Sequence, residues 1–388
     1  MTNYRISSTT DQDAFYELYL YAFNQTHSVR RRAFFDARFT HANNYGIHAD
    51  NQLVSALYSL PFTVNFGGTE FSMAGIGDVC SAPEFSGRGG AGTLIKAALN
   101  DMYADGTTLS YLAPFAFSYY RRFGYEQVFN QIHYELSTTA LPSFPRTTAG
   151  GHVTRSPLAA ELPTVKKIYA DNQSAAGGLV RADWWWHYLT LKHDWDVGIY
   201  QDAAGKPTGY VIYERTNSAL TVKELVAPTS DEFTALRQFI LKHGNSFAAI
   251  TYDAPSLEYG GDLFPEPDAV TATIRPYMMA RIVNLADFMA KYPGKMPAAP
   301  ITLAVTDPVL TANQGTWQLS AAGFIKQDDD LSPDADITLD IQNLVKLLFG
   351  AQRPETLVRS GEITANSAAV SALTTLTAGK HPALIDYF

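Results

Sequence analysis

A glycine-rich segment between a predicted strand and a predicted helix carries the clearest chemical signal in the sequence. Glycines stand at positions 87, 89, 90 and 92, with Arg88 among them. Glycine lets the backbone approach a ligand closely, and amide groups at a helix N-terminus favour bound phosphate. The Lys-Ser/Thr ending of a nucleotide P-loop is missing, and no acidic residue completes the dinucleotide fingerprint. The segment therefore indicates either a site for a phosphate-bearing ligand or a plain flexible turn.

Two other groups near this segment could take part in catalysis. Phe117 to Tyr125 reads Phe-Ser-Tyr-Tyr-Arg-Arg-Phe-Gly-Tyr, and taken alone such an aromatic cluster is typical of core packing. Cys80 could attack an acyl group, but no His or Asp is placed to act as its base, so a buried, small apolar thiol is favoured. The nine histidines show no spacing typical of metal ligands, and no metal is expected.

Helices and strands must alternate around these residues over the first 135 positions. Thr10 and Asp13 resemble a capping box, and the apolar residues from Ala14 to Phe23 recur at helical spacing. Downstream, the pattern predicts strands at 51–62, 70–79, 108–113 and 127–136, a hairpin turn at 66–69, an amphipathic helix at 94–102 and a short helix at 117–123. This order places the glycine-rich segment at the start of the amphipathic helix.

Turn-forming residues divide the rest of the chain. Residues 141–151 and 291–300 are rich in such residues, and they indicate a division into 1–145, 146–285 and 286–388. The middle part echoes the first loosely but has no glycine-rich loop, so one cofactor per chain is expected. Predicted elements beyond 145 are helices at 159–170, 231–243, 341–349 and 367–376, and strands at 196–200, 209–213, 220–225, 247–252, 301–305, 316–319 and 337–341. An α+β protein of three domains follows.

The composition excludes several classes of protein. The 388 residues include 29 basic and 38 acidic side chains, a net charge of −9, which excludes a general nucleic-acid binder. A single cysteine cannot form an internal disulfide, and no run of about 18 apolar residues predicts a membrane span. The polar first residues do not resemble a signal peptide, so a cytoplasmic protein without a membrane partner is expected.

Taken together, these motifs resemble those of GNAT-type N-acetyltransferases of the enhanced intracellular survival protein family. Ser86 to Ala91 is similar to the acetyl-CoA pyrophosphate loop, Arg/Gln-x-x-Gly-x-Gly/Ala, with Ser86 in place of the usual Arg or Gln. The aromatic segment resembles the family's Ile-Tyr-Gly-Arg-Phe-Gly-Tyr. Gly177 to Arg181, with the tryptophans at 184–186, resembles its Gly-Gly-Leu-Leu-Arg…Trp segment, for which the residues alone suggest only core packing. The end of the chain, from Ile337 to Phe388, resembles its sterol-carrier-like domain.

This resemblance implies two tandem GNAT-like mixed-sheet domains followed by a sterol-carrier-protein-like C-terminal domain. It also implies direct transfer of an acetyl group from acetyl-CoA, the co-substrate, to an amine. Tyr120 takes the place of the family's catalytic tyrosine, as general acid, and the carboxylate of Phe388 would be the general base. The cofactor-binding residues that it implies are Val79, Cys80, Ser81, Ser86, Gly87, Arg88, Gly89, Gly90 and Ala91.

For the amine pocket, the resemblance implies Asp78, with Phe23, Phe115 and Tyr387 as further candidates. An acid there would favour a cationic amine, such as a polyamine, an aminoglycoside or a lysine-like substrate, although Asp78 could equally cap a turn. A longer acyl group or a protein amine is a second enzymatic possibility. The competing class is a lipid-binding or apolar-ligand-binding protein on a degenerate acetyltransferase scaffold. The family is known for cyclic hexamers, so a homohexamer is implied.

Overall fold

Three β-sheets with helices packed against them organise the chain. The structure is a computed structural model that describes residues 4–137, 150–173, 176–255, 258–261, 267–380 and 383–388. Its strands are β1 (Arg5–Ile6), β2 (Asn43–Ala49), β3 (Gln52–Phe66), β4 (Thr69–Ser81), β5 (Leu109–Leu112), β6 (Glu126–Gln127), β7 (Asn130–Ser137), β8 (His152–Pro157), β9 (Ala176–Val180), β10 (Asp196–Gln201), β11 (Pro207–Arg215), β12 (Ala219–Val226), β13 (Ala249–Ala254), β14 (Val270–Pro276), β15 (Met279–Ile282), β16 (Ile301–Thr306), β17 (Gly315–Ser320), β18 (Gly323–Asp328), β19 (Ile337–Asp340) and β20 (Thr364–Ala365). Its α-helices are α1 (Thr9–Ala22), α2 (Val29–His41), α3 (Gly90–Ala104), α4 (Phe117–Arg121), α5 (Leu162–Asp171), α6 (Asp183–Lys192), α7 (Ser230–Leu241), α8 (Leu285–Ala290), α9 (Ile341–Leu348), α10 (Pro354–Arg359) and α11 (Ser367–Thr377).

The first sheet has the strand order β1-β2-β3-β4-β5-β15-β6, and β9 pairs with the far end of β3. Strands β3 and β4 form a long hairpin whose predicted turn is confirmed, with both Gly67 and Gly68 at positive φ. Side chains alternate between the two faces of β3. Leu57 therefore packs with Leu94 and Leu99 of α3 on one face, while its neighbours face α1 and α2 on the other.

The first two sheets exchange strands. Strand β7, predicted as the last strand of the first unit, pairs with β13 and β14 in the second sheet, whose order is β14-β7-β13-β12-β11-β10-β8. In return, β15 lies between β5 and β6 in the first sheet. The predicted boundary at 145 lies outside the described residues, and the limits of the three domains stay a prediction. The halves are interleaved in space whichever boundary is drawn.

The last part of the chain forms the third sheet, β18-β17-β16-β19-β20, with α9 and α11 packed against it. A buried ion pair joins this part to the first sheet: the guanidinium of Arg281 on β15 donates to both oxygens of Asp307, at 2.7 and 2.9 Å, and to the carbonyl of Phe123. Both charged side chains are completely buried. The pair therefore fixes the third domain against the end of the first sheet.

Most predicted elements are present, and the differences have physical reasons. Helix α1 begins two residues early, because Ser8 and Asp11 form the capping box in place of Thr10 and Asp13. The helices α2 and α6 and the two short helices α8 and α10 were not predicted. Helix α2 is rich in arginine, and α6 is apolar nearly all round because it is packed on several sides, so it has no amphipathic period. No helix in the described ranges combines the length and apolar character needed to cross a bilayer.

We expect Asp307→Asn to destabilise the protein, because the buried guanidinium of Arg281 loses its counter-charge. Breaking a buried pair from one side costs about 3–5 kcal/mol of unfolding free energy. Unfolding by urea, followed by circular dichroism, measures the loss. The control is Asp196→Asn, whose carboxylate pairs at 2.6 Å with the half-exposed Arg215, and which should lose less than about 1 kcal/mol. Equal losses would contradict the structural importance of the buried pair.

Candidate active site

A cleft opens in the first sheet where β4 and β5 part. Their parallel pairing runs from Met73 to Ile76 on β4, whereas β4 itself continues to Ser81. A β-bulge follows the last pair: Asp78 and Val79 together lie opposite Leu57 of β3, and Asp78 has a φ of 46°. The bulge turns the end of β4 away from the line of β5, which leaves one edge of β4 without a partner among the strands that the structure describes.

The direction of the free backbone amides follows from the strand geometry. The N–H of Ala82 donates to the carbonyl of Val54 on β3 at 2.9 Å. Because successive N–H groups of a strand alternate in direction, those of Ser81 and Val79 face the other way, into the cleft. Two backbone donors thus line the open edge of β4, as the resemblance implied for these residues.

The glycine-rich segment forms the wall of the cleft opposite this edge. Gly87 and Gly89 have φ of 76° and 86°, a conformation that glycine adopts without strain, and Gly89 is the N-cap of α3. The first hydrogen bond of the helix is donated by Thr93, so the preceding amides have no partner within the helix. A side chain at Gly90 would collide with the hydroxyl of Ser55. The helix start is therefore an open, positively polarised anion site.

A cavity of about 680 Å³ joins these features. Its volume is within the usual range of ligand sites. All the predicted cofactor-binding residues line it except Arg88, whose guanidinium lies 4.8 Å from the ring centre of Phe85. Two exposed cations in the lining, Lys96 and Arg122, were not predicted. Lys96 follows the glycines by two helical turns and could have been identified from the helix periodicity.

Tyr120 lies on α4 beside this cavity. Its side chain is 2% exposed, and burial raises the pKa of its hydroxyl above the ordinary value of 10.0, as do the neighbouring hydroxyls of Tyr119, Tyr125 and Tyr387. Its ring makes edge contacts with Phe115 and Tyr119. Within the described residues nothing forms a hydrogen bond with the hydroxyl, so this proton is available to a ligand.

The last residues of the chain reach into the core of the first sheet. Phe388 is 5% exposed, and its ring lies 5.1 Å from that of Phe62 and directly against the backbone of Gly75. A side chain at Gly75 would approach the ring of Phe388 to 2.5 Å. The ring of Trp185 lies 6.4 Å from that of Phe388 and 5.0 Å from that of Phe62, so the three rings form one cluster. The terminus is thus held in place and does not fray.

Asp78 is paired, which changes the interpretation of its charge. Arg38 donates to its carboxylate at 2.5 Å, and both side chains are nearly buried. Burial raises the pKa of Asp78, and the charges of Arg38 and Lys192 oppose this rise. The pair has no net charge, so Asp78 by itself offers little attraction to a cation. Arg38 was not identified from the sequence, because a partner 40 residues away leaves no local signal.

The other predicted residues are divided between two places. Tyr387 is half-exposed, its ring centre lies 6.0 Å from the ammonium of Lys192, and burial and the nearby charge of Asp78 raise its pKa. Phe23 packs on Tyr19, whose hydroxyl also feels the charge of Asp78. Phe115 instead lines the cavity of the glycine-rich segment.

Cys80 has no features of a nucleophile. Its thiol is buried, and burial together with the charge of Asp78 raises its pKa, while its sulfur contacts the carbonyl of Ala56 at 3.7 Å. A thiol with a raised pKa is rarely a thiolate, which is the reactive form. The structure therefore favours the packing role of Cys80 over an acyl-cysteine route.

The equivalent position in the second sheet is closed to anions. Strands β12 and β13 run parallel and part after Val222, like β4 and β5. The helix that follows, α7, is capped by Thr229, and the carboxylate of Glu232 accepts a hydrogen bond from the backbone N–H of Thr229 at 2.8 Å. A carboxylate at this terminus repels phosphate. The second domain is thus unsuited to a phosphate-bearing cofactor at this position.

Comparison with protein families and known proteins agrees with this arrangement. Residues 3–128 and residues 177–282 each match an acetyltransferase (GNAT) domain family, and residues 285–385 match a sterol carrier protein domain family. The predicted fold class, two GNAT domains followed by a sterol-carrier-like domain, is therefore confirmed. A search of curated protein sequences gives no match.

Several solved structures share the whole architecture. A conserved protein of unknown function from Enterococcus faecalis, described as a probable N-acyltransferase, is 32% identical with a TM-score of 0.90. A GCN5-related N-acetyltransferase from Anabaena variabilis is 25% identical with a TM-score of 0.86. Eis1 from Mycobacterium abscessus is 20% identical, with a TM-score of 0.82, and shares the fold. Each alignment covers 100% of both chains.

We expect Gly89→Ala to weaken coenzyme A binding about 5- to 30-fold, because a side chain in the left-handed region costs about 1–2 kcal/mol and shifts the loop away from its ligand-ready form. Titration calorimetry with coenzyme A measures the change. The matched control is Gly205→Ala, at a φ of 79° in a distant turn with equally open surroundings. The control should bind like the wild type, and an unchanged affinity of Gly89→Ala would exclude this loop from the cofactor site.

Proposed function

This chain belongs to the GNAT family of N-acyltransferases, and we propose that it transfers the acetyl group of acetyl-CoA directly to an amine of a cationic small molecule. We further propose that it belongs to the enhanced intracellular survival branch of the family. Its loop, tyrosine and chain-end motifs, together with the shared fold of Eis1 from Mycobacterium abscessus, support this assignment. The observation that carries the proposed reaction is that the buried hydroxyl of Tyr120 lies near that of Tyr387, the residue before Phe388, so the end of the chain approaches the proposed acid.

The residues of the cleft fit acetyl-CoA, which supplies an activated thioester. The amides at the start of α3, which have no partner within the helix, would receive the pyrophosphate, and the cations Lys96 and Arg122 at the cavity wall would balance its charge. The N–H groups of Val79 and Ser81 would hold the pantetheine and polarise the thioester carbonyl. Glycine at position 90 lets the start of α3 lie close against Ser55 of β3.

Two groups would handle protons. Burial raises the pKa of the Tyr120 hydroxyl, so this group is protonated at neutral pH and can donate its proton to the departing thiolate of coenzyme A. The main-chain carboxylate of Phe388 would accept the proton that the amine loses. Such a carboxylate ordinarily has a pKa of about 3.3–3.7, so it serves through position more than through basicity.

The acceptor would bind on the Asp78 side of the cleft, among aromatic rings. Tyr387 and Phe23 are exposed in spite of their size, and Tyr19 connects Phe23 to the Asp78 pair. Ring faces attract cations, and this attraction does not depend on the neutralised charge of Asp78. A polyamine, an aminoglycoside or a lysine-like amine would suit such a pocket. As further proposals we retain a cytoplasmic location and a homohexamer. Light scattering would measure the number of subunits in the assembly.

We expect the purified protein to release free thiol from acetyl-CoA when a suitable amine is present, and Tyr120→Phe to lower kcat about 100-fold. The expected KM for acetyl-CoA stays near the wild-type value, because the lost hydroxyl acts on the leaving thiolate. A panel of polyamines, aminoglycosides and lysine peptides, followed with a thiol reagent, makes the measurement.

The control for this variant is Tyr125→Phe, which removes a buried hydroxyl bonded to Ser110 at 2.7 Å and should keep its kcat. A full rate in Tyr120→Phe would remove this residue from the mechanism. If no amine causes thiol release and acetyl-CoA does not bind, the enzymatic proposal is wrong. The competing class, an apolar-ligand-binding protein, would then be favoured.

We expect two glycines added after Phe388 to lower kcat by about 100-fold or more, since they move the carboxylate from its buried position. The control carries the same two glycines before Met1. Steady-state kinetics and the intact mass of each protein make the comparison. If both extended proteins turn over equally fast, the terminal carboxylate is not the base.

A further inference from the structure

A buried side-chain network holds the chain two residues before Phe388. The guanidinium of Arg181 donates through Nε to both carboxylate oxygens of Asp386, at 2.8 and 3.1 Å. The indole N–H of Trp185 donates to the same carboxylate at 2.7 Å. The side chains of Arg181 and Asp386 are each 2% exposed. Charged groups bonded this closely and away from water fix each other's position strongly.

Arg181 is itself held by the second domain, independently of the tail. A second edge of its guanidinium donates to Glu224 on β12 at 2.8 Å, and Glu224 accepts a further bond from Tyr210 at 2.6 Å. The guanidinium also lies 4.5 Å from the ring centres of both Tyr169 and Trp186. The clamp is therefore formed by residues of the second domain, and the tail supplies only Asp386.

Close packing alone does not position the tail. A cavity of about 420 Å³ adjoins Ala383, Ile385 and Asp386. On the other side, the hydroxyl of Tyr277 donates to the carbonyl groups of Ile385 and Asp386, at 2.9 and 3.2 Å. Chain ends usually fray unless they are tied down. Polar bonds to one short segment thus act together with the packing of Phe388 to fix where the chain end lies.

We propose that Arg181 and Trp185 are positioning residues for catalysis, because they hold Asp386 and thereby place the main-chain carboxylate of Phe388 at the reacting amine. This inference rests on the proposed function of that carboxylate. It gives a role to the Gly177–Trp186 segment, for which the sequence alone suggested only packing. It also gives a catalytic purpose to the second GNAT domain, whose helix α7 is unsuited to a phosphate-bearing cofactor.

The variant that tests the proposal is Asp386→Asn. It keeps the shape of the side chain and removes its charge, while Glu224 still balances the charge of Arg181. We expect kcat to fall about 100-fold, the loss typical of a misplacement of about 1 Å. The KM for acetyl-CoA should stay unchanged, because the cofactor cleft is not touched. The matched control is Asp196→Asn, which breaks another Asp–Arg pair of the second sheet and should keep its kcat.

A second readout follows the tail without relying on catalysis. Carboxypeptidase removes aromatic residues from accessible chain ends, and the intact mass shows the loss of Phe388. We expect slow release from the wild type and from Asp196→Asn, and release at least about tenfold faster from Asp386→Asn, because the clamp no longer holds the end. Equal release rates in the three folded proteins would overturn the proposal.

A double-mutant cycle separates positioning from general stabilisation. In the protein with two glycines after Phe388, the carboxylate is already displaced, so Asp386→Asn should cause no further loss of kcat. Losses that multiply would show that Asp386 acts on the fold and not through the carboxylate, which overturns the inference. If the extension alone leaves kcat unchanged, the proposed base fails, and that outcome is distinct from a failure of the clamp.

A milder variant decides the question if Asp386→Asn does not fold. Trp185→Phe removes the indole N–H that donates to Asp386 and keeps an aromatic ring at this position, and Trp185 is not among the residues that line the glycine-rich cleft. We expect a smaller fall in kcat together with faster release of Phe388. Wild-type values in both measurements would mean that the tail needs no polar anchoring, and the proposal would fall.

Discussion

The parallel pairing of β4 with β5 ends at Ile76, and the site depends on this early ending. Because β5 stops at Leu112 while β4 runs on to Ser81, five residues of β4 pair on one edge with no described strand. Backbone donors on that edge face a space that the glycine-rich turn and the start of α3 close from the other side. If the two strands paired to their full length, the donors would be used within the sheet and no ligand could approach them.

Three buried arginines connect distant parts of the chain. Arg38 binds Asp78, Arg181 binds Asp386 and Glu224, and Arg281 binds Asp307. Each arginine lies in one segment and its aspartate in another, so the pairs fix how α2, the second domain and the third domain meet the first sheet. Buried pairs of this kind add little net stability over apolar contacts, but they tolerate no loss of a partner. Here they fix geometry: the Arg38–Asp78 pair lies beside the cleft, and the Arg181–Asp386 pair lies beside the chain end.

The sequence predicted the structural features that depend on residues close together along the chain. The turn at Gly67–Gly68, the glycines that open α3, and the period of that helix are local properties, and the structure contains all three. Tyr120 and Phe388 were identified through the resemblance of whole motifs. The partners of the buried charges could not be predicted from the sequence, because residues such as Arg181 and Asp386 are separated by 205 positions along the chain. The exchange of β7 and β15 was missed for the same reason, because a strand's own residues do not reveal which sheet receives it.

The exchanged strands have a consequence for the order in which the protein is made. During synthesis, β5 emerges early, but its neighbour β15 follows only after the whole second sheet has been translated. Until then, one edge of β5 exposes unpaired N–H and C=O groups, which can form hydrogen bonds with strands of other nascent chains. The N-terminal half therefore cannot complete its sheet as a separately expressed fragment. A single cut between the two acetyltransferase units separates β7 and β15 from the sheets that they complete. The two units must therefore be expressed and folded as one chain.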